Sequence, residues 1–212
     1  MNNNRLQFIT KVVFFGALWG LIEATIGYAL HFLPVLIAGS IMFPIVMYIL
    51  YLATKSLGSR KAIFYVAFIA IAIKATNLFL PMLYPAKTIN PMIAMFIQSL
   101  LAFAVMPMLN SQGLKNKISA LAIASISWRL VMIGYYGLNY TLTGFMDFRI
   151  AEFNPAFTYV VTEGIISLAL AVMVFQATKP IKTSSKWLEQ RLSPVFSSLL
   201  LVVAVILTLV KF

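Results

Sequence analysis

The sequence predicts an all-α polytopic membrane protein, a bundle of six to seven transmembrane helices, on three observations. Of its 212 residues 62% are hydrophobic and only 10% charged, and the mean hydropathy of +0.96 is far above that of a water-soluble domain. Apolar runs near or above the ~18 residues that cross a bilayer recur along the whole length. Basic residues gather in alternate loops, as the positive-inside rule requires of a multi-pass chain.

Taken in order, the predicted spans are 10–32, 35–54, 62–80, 91–109, 118–141, 157–177 and 195–210, the last being the shortest. They leave no stretch for a soluble domain, so residues 1–212 read as a single transmembrane domain. The start Met-Asn-Asn-Asn-Arg leads into span one without a small-residue cleavage site, so that span is expected to be retained. Alternation of the spans puts Arg5, Lys11, Lys55, Arg60, Lys61, Lys115, Lys117, Lys179, Lys182, Lys186 and Arg191 on one side and Lys87, Arg149 and Lys211 on the other. The richer side is expected to be cytoplasmic, with the N-terminus inside and the protein in the plasma membrane. The net charge of +11 therefore reads as a topology signal and an attraction to anionic lipid headgroups, not as a nucleic-acid surface.

The loops differ by side. Those on the basic side are short, whereas 81–90 and 142–154 on the other side are longer and hold Tyr84, Lys87, Asp147, Arg149 and Glu152, placed to lid a pocket between the spans. Residues 179–193 set Trp187, Leu188 and Leu192 among Lys182, Lys186, Glu189 and Arg191, a pattern expected to lie along the inner interface. Spans four and six open on Asn90-Pro91 and Asn154-Pro155. Asn suits an N-cap and Pro the first helical position, where its missing N–H is not needed. Each follows a span with one central cation, which suggests related hairpins, each with a cation on the outward helix, Lys74 or Arg129, and a polar or acidic residue on the returning one, Gln98 or Glu163.

Function is expected where charge enters the membrane. Glu23, Lys74, Arg129 and Glu163 lie inside the spans, and each costs several kcal/mol or more at bilayer depth unless paired or hydrated. Counted along the helices, all four can share a layer in the outer half. Asn77, one turn beyond Lys74, joins this layer, as do Gln98 and Asn139, and Tyr136 and Tyr140 extend the Arg129 face outward. Such a cleft suits a small polar organic solute with a ring or ionised groups. The competing expectation is that the charges are structural ion pairs. No cysteine, a lone His31, and the absence of His-Glu-x-x-His, Gly-x-Ser-x-Gly or a phosphate-cradling glycine loop lead us to expect no catalysis, no cofactor and no metal site. Trp19 and Trp128 read as core or lipid-facing aromatics, and the eleven Met residues as packing.

Span one also carries Gly16, Gly20 and Ala24 at four-residue spacing. A small-residue stripe lets a second helix come close, either within the bundle or on a separate subunit. With this stripe, an inner N-terminus, outer-half polar residues and long outer loops, the chain resembles the substrate-binding component of energy-coupling factor transporters. That resemblance covers spans one to six at the level of layout, and the seventh span departs from the usual six. It implies capture of a vitamin-like micronutrient, docking through Gly16, Gly20 and Ala24 on a transmembrane coupling subunit, and energy from two partner ATPases. A stand-alone ion-coupled secondary transporter, with Glu23 or Glu163 carrying a proton, and a non-catalytic anchor subunit of a larger membrane complex are the alternatives.

Overall fold

The computed structural model describes residues 3–30, 35–80, 85–178 and 192–210. His31, Tyr84, Lys211 and most of the expected interfacial stretch 179–193 fall outside the described residues. The described elements are all helical: α1 (Asn3–Ile22, continued by a π turn Glu23–Gly27), α2 (Val35–Leu57), α3 (Ala62–Ala75, tightening to a 3-10 turn Thr76–Phe79), α4 (Ala86–Asn110) and α5 (Leu114–Thr143). They continue with α6 (Phe148–Ala151), α7 (Phe153–Phe157, running through a π turn Thr158–Thr162 into α8, Glu163–Ala177) and α9 (Pro194–Leu209).

Six of these are long and apolar enough to cross a membrane: Asn4–Gly27, Gly39–Leu57, Ala62–Phe79, Ala86–Asn110, Leu114–Thr143 and Phe153–Ala177. The seventh predicted span, α9, has 16 residues and so reaches about 24 Å, short of the ~30 Å hydrocarbon core. Helices begin ahead of their predicted apolar stretches, as α1 and α4 show, because a backbone near lipid keeps its hydrogen bonds by staying helical. Their ends are set by local chemistry. Ser193 Oγ accepts the Phe196 N–H at 3.1 Å with Pro194 at the first position of α9. Gly144, at φ 72°, closes α5 with its N–H on Tyr140 O.

The two Asn-Pro pairs do not open their helices. α4 begins at Ala86 behind Pro85, and Asn90 lies within it, its Oδ1 accepting from the Tyr135 hydroxyl at 2.9 Å. Asn154 and Pro155 sit inside the first turn of α7, which Glu152 precedes. Within the first expected hairpin Lys74 does not turn to Gln98 but meets Glu23 of the π turn after α1, because an ammonium gains more from a carboxylate than from a neutral amide.

α2 packs against α1, α3, α4 and α8, with α4 and α5 in contact beyond it and α9 lying on α1 and α3. Phe15, Trp19, Phe43, Met47, Leu50 and Ile63 are all below 2% exposed in this core. Gly16 and Gly20 are where α1 meets α3. A Cβ on Gly16 would lie 2.6 Å from Ile69 Cβ, and one on Gly20 2.5 Å from Ile73 Cδ1. Ala24 is 4% exposed in the π turn. The small-residue stripe thus does bring two helices together, but the second helix is α3 of this chain. Gly16, Gly20 and Ala24 therefore do not form the free docking face expected for a separate subunit, since they are buried within this bundle. α9 instead covers α1 with Ser197, Ala204 and Thr208, its buried positions, beside a Phe14–Phe196 ring contact at 6.2 Å.

Candidate functional site

The buried face of α5 runs Leu121, Ser125, Trp128, Arg129, Met132 and Tyr136, a helical stripe kept thin at Ala124 and Ser125. Arg129 is 0% exposed at the middle of this helix. Its Nη1 donates to Ser125 O at 2.7 Å, and its Nη2 donates to Ser167 Oγ at 2.7 Å and Ser40 Oγ at 3.2 Å. Glu163 Oε2 stands 3.8 Å from Nη2, so the ion pair is electrostatic and too long for a hydrogen bond. The serines then bind across the helices: Ser40 Oγ donates to Glu163 O at 3.3 Å and Ser167 Oγ to Ser40 O at 3.4 Å. One guanidinium thereby ties α2, α5 and α8 together.

Glycines make that approach possible. A Cβ on Gly39 would lie 3.3 Å from the Trp128 ring, and one on Gly164 3.2 Å from Ile126 Cγ1. The Arg129 guanidinium carbon lies 4.5 Å from the Trp128 ring centre and 5.8 Å from that of Tyr159, within the range of cation–π attraction. Toward the end of the bundle away from the basic loops, the Tyr159 and Tyr136 rings are 6.4 Å apart. Arg149 of α6 closes the column, 5.1 Å from Tyr136, 5.3 Å from Tyr159 and 4.6 Å from Phe148. Asp147 holds it from two residues away, both carboxylate oxygens within 3.1 Å of Nη1.

Several polar atoms in this column are buried without a hydrogen-bond partner: Arg129 Nε, Glu163 Oε1, Trp128 Nε1 and Arg149 Nε. Each such group costs about 1–3 kcal/mol in a closed bundle. A π turn at residues 158–162 immediately precedes Glu163, and such turns are often found at functional sites.

Lys74 and Glu23 form a second, separate pair between α3 and α1. Lys74 Nζ donates to Glu23 Oε1 at 3.2 Å, with side chains 5% and 13% exposed. Here too the carboxylate belongs to a π turn, Glu23–Gly27. Gly27 leaves room for that carboxylate: a Cβ there would lie 3.1 Å from the Glu23 carboxyl carbon. Asn77 lies one turn past Lys74 with its Oδ1 buried and unpartnered.

The four membrane charges expected in one cluster are therefore joined as two pairs on different helices. Of the accompanying residues, Tyr136 belongs to the Arg129 column and Asn77 to the Lys74 region. Gln98 is buried on α4, but no hydrogen bond among the described residues ties it to either pair. Asn139 is half-buried and Tyr140 is 41% exposed near the end of α5, outside the column. Ser40, Ser167, Tyr159 and Trp128 join the column in contacts not expected from the sequence. Tyr159 precedes Glu163 by four residues, a helical spacing that was available as a signal; lone serines in apolar spans gave none. Among the described residues, no three His, Cys, Asp or Glu side chains are grouped to hold a metal ion. Comparison with protein families, curated proteins and solved structures gave no match to this chain.

Proposed function

We propose that this protein is a solute-binding and translocation subunit whose binding centre is the Arg129–Glu163 column. The observation that carries this reading is incomplete satisfaction. A guanidinium and a carboxylate, both nearly solvent-free, stand 3.8 Å apart and leave Nε and Oε1 without partners. A pair kept only to hold helices together gains most from direct contact, whereas one that must exchange partners with a ligand keeps donor and acceptor capacity in reserve. Tyr136, Tyr159 and Trp128 supply the apolar walls on which a small polar organic solute rests.

With the basic loops in the cytoplasm, the Arg149 end of the column faces outward and the protein takes up solute across the plasma membrane. The chain carries no nucleotide-binding motif, so we assign the energy to a partner ATPase module and a coupling subunit, as in energy-coupling factor transporters. A specific observation favours the rival reading of a stand-alone ion-coupled carrier: α3 already occupies the Gly16–Gly20 face. Purification in mild detergent with mass spectrometry of co-eluting molecules tests both. We expect a bound solute from the wild type, none from Arg129→Leu, and a co-purifying ATPase pair; a solute without ATPases supports the carrier, and a large assembly without solute supports an anchor subunit. Orientation is checked in this cysteine-free chain with Lys87→Cys and Gln112→Cys, both at exposed positions. An impermeant thiol reagent should label the first in intact cells and the second only after lysis, and the reverse pattern would overturn the topology.

A further inference from the structure

We infer that Arg149 is a ligand-binding residue at the mouth of the column, taking a carboxylate or phosphate group of a ring-bearing solute before that solute reaches Arg129. The inference rests on the reading that the Arg129–Glu163 centre receives a solute, and three observations carry it further. First, the Tyr159 ring lies against both guanidinium groups, 5.3 Å from that of Arg149 and 5.8 Å from that of Arg129. A single aromatic ring therefore separates the outer cation from the buried one. Second, Asp147 engages only one end of the Arg149 fork, with both of its oxygens on Nη1 at 3.1 and 3.0 Å. Arg149 Nε has no partner, and no hydrogen bond among the described residues involves its Nη2. The unused Nε–Nη2 edge is the one that matches a carboxylate or phosphate with two parallel bonds.

Third, Arg149 sits on a short segment between two spans and not within either of them. α6 is a single turn, preceded by Gly144 at φ 72° and followed by Glu152 in extended backbone. Moving it away exposes the Tyr136 and Tyr159 rings, on which the planar part of the solute stacks while its anionic group stays on Arg149. Asp147 acts in this scheme as a stand-in anion that occupies the arginine when no solute is present.

The probes are benzoate and its uncharged counterpart benzamide, titrated at low salt against the full chain in nanodiscs by ligand-observed NMR. Wild type should bind both, benzoate the tighter. Arg149→Gln should weaken benzoate by roughly tenfold or more, since charge-assisted bonds are the strong ones, and benzamide by less than about twofold. Arg149→Lys should recover only part of the loss, because an ammonium lacks the two-donor edge. Asp147→Asn, which frees the arginine, should tighten benzoate and leave benzamide alone; this variant decides the matter should Arg149→Gln fail to fold. Equal loss of both probes in Arg149→Gln, or unchanged benzoate binding in both variants, overturns the inference while leaving the solute site standing. Binding of neither probe by the wild type overturns the solute-site reading and this inference with it.

Discussion

Glu23–Lys74 and Arg129–Glu163 share a design and differ in finish. Each sets a carboxylate beside a π turn and a cation on a neighbouring helix. In the first, a lysine makes one direct contact at 3.2 Å near the ends of α1 and α3, and Glu23 keeps 13% side-chain exposure. In the second, an arginine with no exposure spreads its donors over Ser40, Ser125 and Ser167 and stands back from its carboxylate. An ammonium is a compact point charge that one carboxylate satisfies, while a guanidinium is a fork whose donors can be divided among helices and a ligand. On the function proposed above, the first pair is a brace between α1 and α3 and the second is the proposed binding centre.

The largest effect that can break this comparison comes from the deeper pair. Arg129→Leu strands the Glu163 carboxylate and should cost about 3–5 kcal/mol of stability, read as a lower thermal midpoint in detergent, together with all solute binding. Arg129→Leu combined with Glu163→Leu removes both charges. It should regain most of that stability, since apolar replacement of a whole buried pair is often neutral or better, and still not bind. Recovery of binding in the double variant would remove the column from function.

Next come the helix contacts on the bracing side. Gly20→Ala places a Cβ against Ile73 and should destabilise by about 1–3 kcal/mol through overpacking. A Gly20→Leu protein that melted like wild type but lost a partner subunit would mean that this face meets another chain after all. The paired replacement Glu23→Leu with Lys74→Leu should then leave solute binding within a few-fold of wild type while the single Lys74→Leu destabilises. Loss of binding in that folded double variant would merge the two pairs into one site. The smallest expected effect is Tyr135→Phe, which removes the bond to Asn90 and should cost about 1 kcal/mol with binding unchanged.

Legibility in the sequence followed the physics of each feature. Glu23, Lys74, Arg129 and Glu163 stand out because a charge among apolar neighbours is conspicuous at any depth. Arg129 and Glu163 fall in one expected hairpin and do meet, whereas the meeting of Lys74 with Glu23 did not stand out, because they are far apart in the chain and it depends on how α1 settles on α3. The Asn-Pro pairs misled for the converse reason. Their local preference for a helix start is weaker than the demand of a lipid-side backbone to remain hydrogen-bonded, so α4 simply begins earlier. Ser40 and Ser167 were invisible because a lone hydroxyl fits an apolar helix by bonding its own backbone, and only the arrival of Arg129 recruits it.

Composition and periodicity alone determined that the chain is a bundle of membrane helices, roughly where six of its seven predicted spans lie, and which charges lie inside them. These follow from one-dimensional quantities, the apolar length that matches a bilayer and the cost of charge within it. Only the tertiary structure decided that the Gly16–Gly20 stripe is filled by α3, that four charges resolve into two pairs, and that Tyr159 stands between Arg129 and Arg149. Those depend on the rotation and approach of one helix relative to another, set by side-chain packing across the interface, a quantity that no single segment contains.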